Sequence, residues 1–213
     1  MQLYDLLVNF NYNIIKKNNP EILDIAYDSR KVTTGTAFVC LKGYTSDGHK
    51  FAQSAVEKGA AALIISDDLD FDVPEDIAVI KTEDTRLALA LMSVEFFGRP
   101  AEKLITIAIT GTKGKTTTTA MIAEIFNQAN IKAGTIGTLG IVFDGKTRKT
   151  ENTTPESYEI QKAMRDMLNA GCKALIIEAS SIGLKHNRLA GTVVQFGNKV
   201  IFTSHRETPP YLS

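Results

Sequence analysis

The stretch LITIAITGTKGKTTTTAMIAEIFNQA, residues 104–129, contains an apolar run, a glycine-rich segment and a helical pattern in that order. The run Leu104–Thr110 is almost continuously apolar, which predicts a buried strand. The residues from Lys115 to about Ala129 predict a helix that follows directly. A glycine-rich loop between a strand and a helix directs several backbone N–H groups, and the positive end of the helix, at one point. The stretch therefore predicts a phosphate-binding site in an α/β fold.

The glycine-rich segment orders its polar side chains as a nucleoside triphosphate site requires. Lys115 is placed to neutralise the β- and γ-phosphates, and the Thr116 hydroxyl is placed to bind the magnesium ion that bridges them. The spacing departs from the usual GxxxxGK[ST] loop, because Ile109 stands where that loop has its first glycine. The alternative, a glycine turn that only caps a helix, is disfavoured by the strand–loop–helix context. The predicted nucleotide-binding residues are Gly111, Thr112, Lys113, Gly114, Lys115, Thr116 and Thr117.

A carboxylate, Glu178, stands at the end of a later predicted strand, directly after the apolar run Ala174–Ile177. Ligands of open parallel sheets lie beyond the carboxyl ends of the strands, so we expect Glu178 at the same edge as the phosphate loop. Magnesium prefers oxygen ligands of this kind. A solvated carboxylate at a strand end is the ordinary alternative. The polar residues that follow favour a site, and they are Ser180, Ser181, His186 and Arg188.

The two basic side chains in this polar group differ in how well they suit a bound ligand. Arg188 carries a planar fork of donors that suits a phosphate or a carboxylate. His186 stands between Lys185 and Asn187, so a surface residue is its plain alternative, and the sequence assigns it no role in proton transfer.

The composition of the 213 residues, 44% hydrophobic and 23% charged, is that of a soluble globular protein. The 24 basic residues balance the 24 acidic residues, so no overall field favours nucleic acid or a membrane surface as partner. No segment has the length of a membrane span, and the amino terminus lacks a signal-peptide pattern. Cys40 and Cys172 stand in apolar contexts, which predicts buried thiols. We expect a cytoplasmic protein.

A change of pattern at Gly98-Arg99-Pro100 predicts a boundary between two domains, residues 1–100 and 101–213. Before it, short apolar runs alternate with turns; after it, strands alternate with helices, which favours a mainly parallel sheet covered by helices. The predicted helices are 5–10, 47–59, 86–97, 115–129 and 156–170. The predicted strands are 22–27, 36–41, 61–66, 77–81, 104–110 and 173–181, with a hairpin at 143–146.

Several segments, taken in order, resemble the Mur ligase family. GTKGKTTTT at 111–119 matches the ATP loop of that family, GTxGKT[ST], including its shortened glycine spacing. NTTP at 152–155 and EASSIGLKHNRLAG at 178–191 are similar to its substrate-binding segments. The stretch 27–64, with DSR at 28–30 and DGHxF at 47–51, is similar to the UDP-binding domain of the tripeptide synthetase branch. The resemblance runs to about residue 197.

The resemblance implies a small α/β UDP-binding domain followed by a P-loop central domain with a mainly parallel sheet. It implies ATP on the phosphate loop, with Lys115 as the catalytic residue, and magnesium on Thr116 and Glu178. The residues that it places against the UDP-sugar substrate are Tyr27, Ser29, Tyr44, Thr45, Ser46, Asn152, Thr153, Thr154, Ser180, His186 and Arg188. His186 stands where the family often has glutamine, and Ile182 replaces a common histidine, which indicates a divergent branch.

The activity that the resemblance implies is an amide ligation in peptidoglycan precursor synthesis. The γ-phosphoryl group of ATP passes to the free carboxylate of UDP-N-acetylmuramoyl-L-alanyl-D-glutamate. The amine of a third amino acid, L-lysine or meso-diaminopimelate, then attacks the acyl phosphate and forms an amide. The partners are thus this nucleotide sugar and an amino acid, without nucleic acid or membrane. The sequence does not specify which of the two amino acids is added.

The end of the chain, FTSHRETPPYLS, departs from the family. The family continues with a segment like TNxxxDH, and here the asparagine and the Asp-His pair are missing, while Pro209-Pro210 interrupts regular structure. This indicates a truncation, for which a frameshift near Gly197 is one cause, with the carbamylated lysine and the amino-acid-binding domain lying beyond. We therefore expect this chain to lack turnover and to expose apolar sheet edges that favour self-association, whereas the parent protein is expected to be a monomer.

Three other interpretations compete with this one. A paralogous ligase acting on another carboxylate, such as a folylpolyglutamate or cyanophycin synthetase, is disfavoured by the DSR and DGHxF segments. A nucleotide-binding module without catalysis remains open, and turnover of ATP only in the presence of the muramoyl dipeptide would exclude it. A small P-loop kinase would show a lid-like arginine pattern, which the sequence lacks.

Overall fold

The computed structural model describes residues 1–43 and 46–192, and the backbone of 199–202. It divides into two compact units, Met1–Gly98 and Arg99–Ser213. The division falls within the Gly98-Arg99-Pro100 segment, where Gly98 and Arg99 both have positive φ angles, 68° and 51°. Each unit is an α/β fold built on its own sheet. Tyr44, Thr45 and the tail from residue 203, which the sequence singled out, lie outside the described residues.

The first unit is built on a five-stranded sheet in the order β1-β5-β4-β3-β2. Strands β2 to β5 are parallel, and β1 pairs antiparallel with β5. The strands are β1 (Asn13–Lys16), β2 (Asp24–Ala26), β3 (Thr36–Val39), β4 (Ala60–Ile65) and β5 (Ala78–Lys81). The helices are α1 (Leu3–Leu6), α2 (Ala52–Glu57) and α3 (Thr85–Phe96), with 3₁₀ turns at Ser29–Lys31 and Gly48–Phe51.

The central strands of the first unit are buried on both faces, which explains their nearly unbroken apolar sequences. All four residues of β3 are buried, and β4 is buried at five of its six positions. Helix α3 begins where the Asp84 side chain accepts a hydrogen bond from the backbone N–H of Leu87, a standard N-cap. Because β2 to β5 run parallel, the residues that follow them meet at one edge of the sheet.

The second unit contains a six-stranded sheet in the order β11-β6-β10-β7-β8-β9. Strands β11, β6, β10 and β7 are parallel, and β8 and β9 extend the sheet as antiparallel strands. The strands are β6 (Ile105–Thr110), β7 (Ala133–Gly137), β8 (Gly140–Phe143), β9 (Lys146–Arg148), β10 (Ala174–Glu178) and β11 (Lys199–Phe202). The helices are α4 (Lys115–Gln128), α5 (Ser157–Asn169) and α6 (Ser181–Lys185), with a 3₁₀ turn at Pro100–Lys103.

Helices cover both faces of this second sheet, because successive side chains of a strand point to opposite faces. Leu175 and Ile177 of β10 pack in one core with Met164 of α5. Ile176, between them, packs in a second core with Ala123 of α4. Strand β10 is consequently buried at all five positions.

The strand–loop–helix prediction around the phosphate loop is confirmed, since β6 and α4 begin and end within a residue of the predicted bounds. The hairpin at 143–146 is also confirmed, with Asp144 and Gly145 at positive φ as such turns require. The predicted helix at 5–10 is wrong, because α1 ends at Leu6. The predicted helix at 47–59 is a 3₁₀ turn followed by the short α2. The predicted strand at 173–181 ends at Glu178, and Ser181 already lies in α6.

Both cysteines are buried and free, as predicted. Burial raises the pKa of the Cys40 thiol to about 12, which removes it as a nucleophile near neutral pH. None of the helices within the described ranges has the length and apolar character needed to cross a membrane.

Candidate functional site

The phosphate loop joins the end of β6 to the start of α4. Gly111 has a φ of 146° and Gly114 a φ of 80°, conformations that favour glycine. Gly114 is the N-cap of α4, so no side chain covers the first N–H groups of the helix. A Cβ at Gly114 would meet no atom within 4 Å, so glycine is favoured at this position by the backbone conformation and not by a lack of space. The loop therefore presents backbone donors and the helix N-terminus to an anion.

The two functional side chains of the loop differ in their present contacts. Lys115 is half-buried, and its Nζ donates to the carbonyl oxygen of Gly111, 2.7 Å away, within the loop itself. The Thr116 hydroxyl donates to Oε2 of Glu178 across 3.2 Å. The prediction that Glu178 lies at the same edge as the phosphate loop is thus confirmed by a direct contact.

Glu178 is a buried carboxylate, 1% exposed, at the last position of β10. Its hydrogen-bond donors are the hydroxyl of Thr116 and both the N–H and the hydroxyl of Thr138. No cationic side chain pairs with it in the part of the chain that the structure describes. Buried carboxylates are usually neutralised by a cation or a metal. This carboxylate and the Thr116 hydroxyl offer oxygen ligands that suit magnesium beside the phosphates, so the residues fit the ion.

Thr138, which the sequence did not single out, holds both oxygens of the Glu178 carboxylate. Its N–H donates to Oε1 across 3.0 Å, and its hydroxyl lies 3.1 Å from Oε2. Gly137, just before it, ends β7 beside β10, and a Cβ there would overlap the Glu178 carboxylate. The GlyThr pair at the end of a strand was the available signal. Only the sheet order, with β7 next to β10, reveals what the pair touches.

Removing the Thr138 hydroxyl tests this orientation of Glu178. We expect Thr138→Val to reduce the gain in ATP affinity that magnesium provides by roughly fivefold, about 1 kcal/mol, because one hydrogen bond to a charged oxygen is lost. Thr138→Ser keeps the hydroxyl and serves as the matched control. The measurement is calorimetric ATP binding with and without magnesium. Equal magnesium dependence in the valine and serine variants would contradict the role of Thr138.

The segment 152–155 lies against the end of β10. Thr154 is fully buried, and its hydroxyl donates to the carbonyl oxygen of Glu178 and accepts from the N–H of Ser180. Thr153 is half-buried, and its hydroxyl lies 3.2 Å from that of Thr138. Asn152 is exposed. One chain of hydrogen bonds therefore connects this segment, through Glu178, with the phosphate loop.

Ser180 and Thr154 have structural contacts that sequence reasoning did not foresee. The Ser180 hydroxyl accepts from the N–H of Gly183 and thereby caps α6. The hydroxyls of Ser180 and Thr154 lie 3.0 Å apart. A Cβ at Gly183 would lie 2.7 Å from the Thr154 side chain, so α6 packs closely on the segment. His186 follows α6 as its C-cap residue and is half-buried.

Arg188 points into the protein and not into solvent. Its guanidinium pairs with Glu156 across 2.9 Å, and both side chains are nearly buried, 11% and 12% exposed. It also donates to the carbonyl oxygen of Thr154 across 2.9 Å. The Nε of Arg188 is buried without a hydrogen-bond partner among the described residues. Arg188 thus braces the segment from both sides of Pro155.

The predicted residues of the first unit follow two neighbouring strands, β2 and β3. Tyr27 and Ser29 come after β2 and are half-buried, whereas Ser46 comes after β3 and is exposed. Asp28 caps the 3₁₀ turn that contains Ser29, and hydrogen bonding by the Arg30 guanidinium lowers the pKa of Asp28 to about 2. A groove of about 480 Å³ in this unit lies by β5 and β1 instead and contains none of these residues.

Comparisons with known proteins agree with this architecture. A family model described as the Mur ligase middle domain matches residues 109–205, and a model described as Mur ligase family, catalytic domain, matches residues 14–96. The chain belongs to the Mur ligase family.

Curated relatives include diaminopimelate-adding ligases. The UDP-N-acetylmuramoyl-L-alanyl-D-glutamate--2,6-diaminopimelate ligase of Clostridium perfringens is 42% identical over 205 residues, 96% of this chain and 41% of the relative. The enzyme of the same name from Bacillus licheniformis is 45% identical over 175 residues, 82% of this chain and 35% of the relative. The chain thus spans about two fifths of the length of these curated relatives.

Solved structures of the family share the fold. A structure of UDP-N-acetylmuramoyl-L-alanyl-D-glutamate--2,6-diaminopimelate ligase superposes with a TM-score of 0.71 at 27% identity, covering 89% of this chain and 38% of that one. A crystal structure of MurF from Acinetobacter baumannii superposes with a TM-score of 0.52 at 27% identity, covering 78% of this chain and 32% of that one.

Proposed function

We propose that this chain supplies the nucleotide-sugar and ATP sites of a ligase that adds 2,6-diaminopimelate to UDP-N-acetylmuramoyl-L-alanyl-D-glutamate. The observation that carries the proposal is the hydrogen-bond chain around Glu178. It connects Thr116 of the phosphate loop, Thr138 and Thr153 at one edge of the sheet. The substrate is inferred from the names of the relatives, which act on this dipeptide and diaminopimelate.

The proposed chemistry proceeds in two displacements. A carboxylate oxygen of the D-glutamate attacks the γ-phosphorus of ATP, ADP leaves, and an acyl phosphate forms. The amine of diaminopimelate then attacks the acyl carbon, loses a proton, and displaces inorganic phosphate to leave an amide. Magnesium, when bound, neutralises charge on the β- and γ-phosphates.

The residues of this chain act mainly by positioning the reactants. Lys115 would exchange its contact with the Gly111 carbonyl for the phosphates, and the N–H groups of the loop would bind them from the other side. Glu178 and Thr116 would hold magnesium. The Thr153–Thr154 segment, braced by Arg188, would hold the muramoyl part of the substrate near the γ-phosphate.

In the first unit, Tyr27, Ser29 and Ser46 are proposed to contact the UDP end, together with Tyr44 and Thr45. The proposal for the described residues rests on their place beyond the carboxyl ends of two adjacent parallel strands, where open α/β sheets bind ligands. In the second unit, Asn152, Ser180 and His186 are proposed as further substrate contacts.

Simultaneous occupancy of both sites tests the proposal. The chain is saturated with the magnesium complex of a non-hydrolysable ATP analogue and then titrated with the muramoyl dipeptide. We expect both ligands to bind together, because the acyl phosphate can form only when they are present at once. Mutual exclusion of the two ligands would contradict the proposal and favour a simple nucleotide-binding module. The same holds if the affinity for the ATP analogue is equal with and without magnesium.

A further inference from the structure

In the first unit, Asp47, His49 and Asp67 form a cluster whose candidate ligand atoms lie within 4.8 Å of one another. These three residues have the composition of a metal site, but their hydrogen bonds indicate a structural role. The His49 side chain is 9% exposed, and both nitrogens of its ring are engaged by the protein. A ring in that state has no lone pair free for a metal.

The partners of His49 also fix its tautomer. Nε2 accepts from the backbone N–H of Ser66 across 2.9 Å and from that of Asp67 across 3.2 Å, so it carries no proton. Nδ1 lies 2.6 Å from Oδ1 of Asp47 and therefore donates its proton there. The ring thus bridges Asp47 to the end of β4. We call these four residues, Asp47, His49, Ser66 and Asp67, the His49 clamp.

The clamp fastens the connection that runs from β3 to α2. This connection turns back on itself, since the N–H of Gly43 donates to the carbonyl of Ser46 and the N–H of Gly48 donates to the carbonyl of Leu41. A Cβ at Gly48 would lie 2.7 Å from the Leu41 nitrogen, so the two arms pack backbone to backbone. His49, three residues after Ser46, ties the returning arm to the end of the neighbouring strand β4.

The outgoing arm is fastened to the same point by different contacts. The Lys42 ammonium pairs with the Asp67 carboxylate across 2.6 Å. Arg86, in the first turn of α3, donates to the carbonyl of Lys42 across 3.3 Å. Through Lys42 and His49, both arms are therefore attached to the residues that follow β4, and His49 is the less exposed of these two side chains.

We propose that His49 is a positioning residue for the nucleotide-sugar site, acting through Asp47 to hold Ser46 at the edge of the sheet. The inference rests on the proposed function, in which Ser46 contacts the UDP end of the substrate. This role accounts for the neutral imidazole, because one ring both accepts from the N–H groups that follow β4 and donates to Asp47.

Two substitutions of similar size distinguish the effect of the His49 hydrogen bonds from that of side-chain packing. His49→Leu fills the space but loses the hydrogen bonds of both ring nitrogens, and we expect it to weaken UMP and muramoyl-dipeptide binding by about tenfold. His49→Gln offers an amide oxygen to the Ser66 N–H and an amide N–H to Asp47, and we expect affinity within roughly threefold of wild type. Magnesium-ADP binding, measured on the same samples, should not change in either variant.

Thr82→Val is the control for general destabilisation of the first unit. It removes the part-buried hydrogen bond from the Thr82 hydroxyl to the carbonyl of Asn11 and leaves the hydrogen bonds of the His49 ring in place. We expect it to lower the melting temperature without weakening UMP binding. Loss of UMP binding in this control to the same extent as in His49→Leu would overturn the inference, because instability alone would then explain the effect.

The wild-type protein provides a measurement that needs no variant to fold. Nitrogen NMR of the His49 ring should show the neutral Nδ1–H tautomer, and the Nε2–H tautomer would overturn the clamp. If wild type binds UMP and the dipeptide but His49→Leu binds them equally well, the positioning role is wrong while the proposed function stands. If folded wild type binds neither, the proposed function itself fails.

Discussion

Lys115→Ala should reduce the affinity of the protein for magnesium-ATP by about a hundredfold, because charge-assisted hydrogen bonds contribute up to roughly 3 kcal/mol each. In the structure the Lys115 ammonium is held within the loop by the Gly111 carbonyl, so its removal leaves no buried partner charge. Binding of the muramoyl dipeptide should be unaffected. Calorimetric titration with each ligand measures both expectations.

Lys146→Ala is the matched control for the loss of one lysine. Lys146 is exposed on β9, at the far edge of the same sheet, and the proposal gives it no role. Unchanged ATP affinity is expected. In a protein with turnover, Lys115→Ala should abolish product formation, and undiminished turnover would remove Lys115 from the catalytic assignment.

Gly137→Ala should displace the Glu178 carboxylate and destabilise the second unit by about 3 kcal/mol, at the upper end of the usual cost of overpacking. The added Cβ overlaps a carboxylate that cannot retreat, since Glu178 is buried and held through Thr138 and Thr116. The gain in ATP affinity from magnesium should disappear in this variant, because one of the two proposed ligands is moved. Thermal unfolding and ATP titrations with and without magnesium report the two effects.

Gly145→Ala provides the comparison for a glycine-to-alanine change. Gly145 has a φ of 69° in the β8–β9 turn, but a Cβ there would meet no atom within 4 Å. This variant carries only the backbone strain, of order 1 kcal/mol, and should keep the full magnesium dependence. If Gly137→Ala keeps it too, Glu178 is not the magnesium ligand.

The second unit could be predicted well because its signals are local. The apolar run of β6, the glycines at 111 and 114 and the helix that follows are contiguous, and parallel topology then places Glu178 beside the loop. The sequence did not indicate that Thr138 lies beside the Glu178 carboxylate. Thr138 is distant in sequence from both Thr116 and Glu178, and only the position of β7 next to β10 brings the three together.

The first unit was harder to predict, because its edge elements are short and exposed. Strand β1 was not predicted, since Ile14 and Ile15 are largely exposed and the strand lacks the alternation that marks a half-buried strand. The DGHxF segment was recognised by resemblance, but the sequence gives no reason for its histidine. That reason lies in the backbone N–H groups after β4, which a sequence pattern does not show.

Arg188 shows a third limit of prediction from the sequence. Its guanidinium suits a phosphate, and the sequence therefore favoured a direct contact with substrate. In the structure its fork is engaged by Glu156 and by the Thr154 carbonyl, with Nε left over. Sequence alone cannot distinguish an arginine that binds a ligand from one that braces the segment that binds it.

The most direct test of the proposed function is a calorimetric titration of this chain with UDP-N-acetylmuramoyl-L-alanyl-D-glutamate, compared with UMP. Saturable binding is expected, with the dipeptide binding more tightly than UMP, because UMP lacks the muramoyl part that Thr153, Thr154 and Arg188 are proposed to hold. A folded chain that binds neither ligand, or that binds the dipeptide no better than UMP, would contradict the proposed function and favour a ligase for another carboxylate substrate.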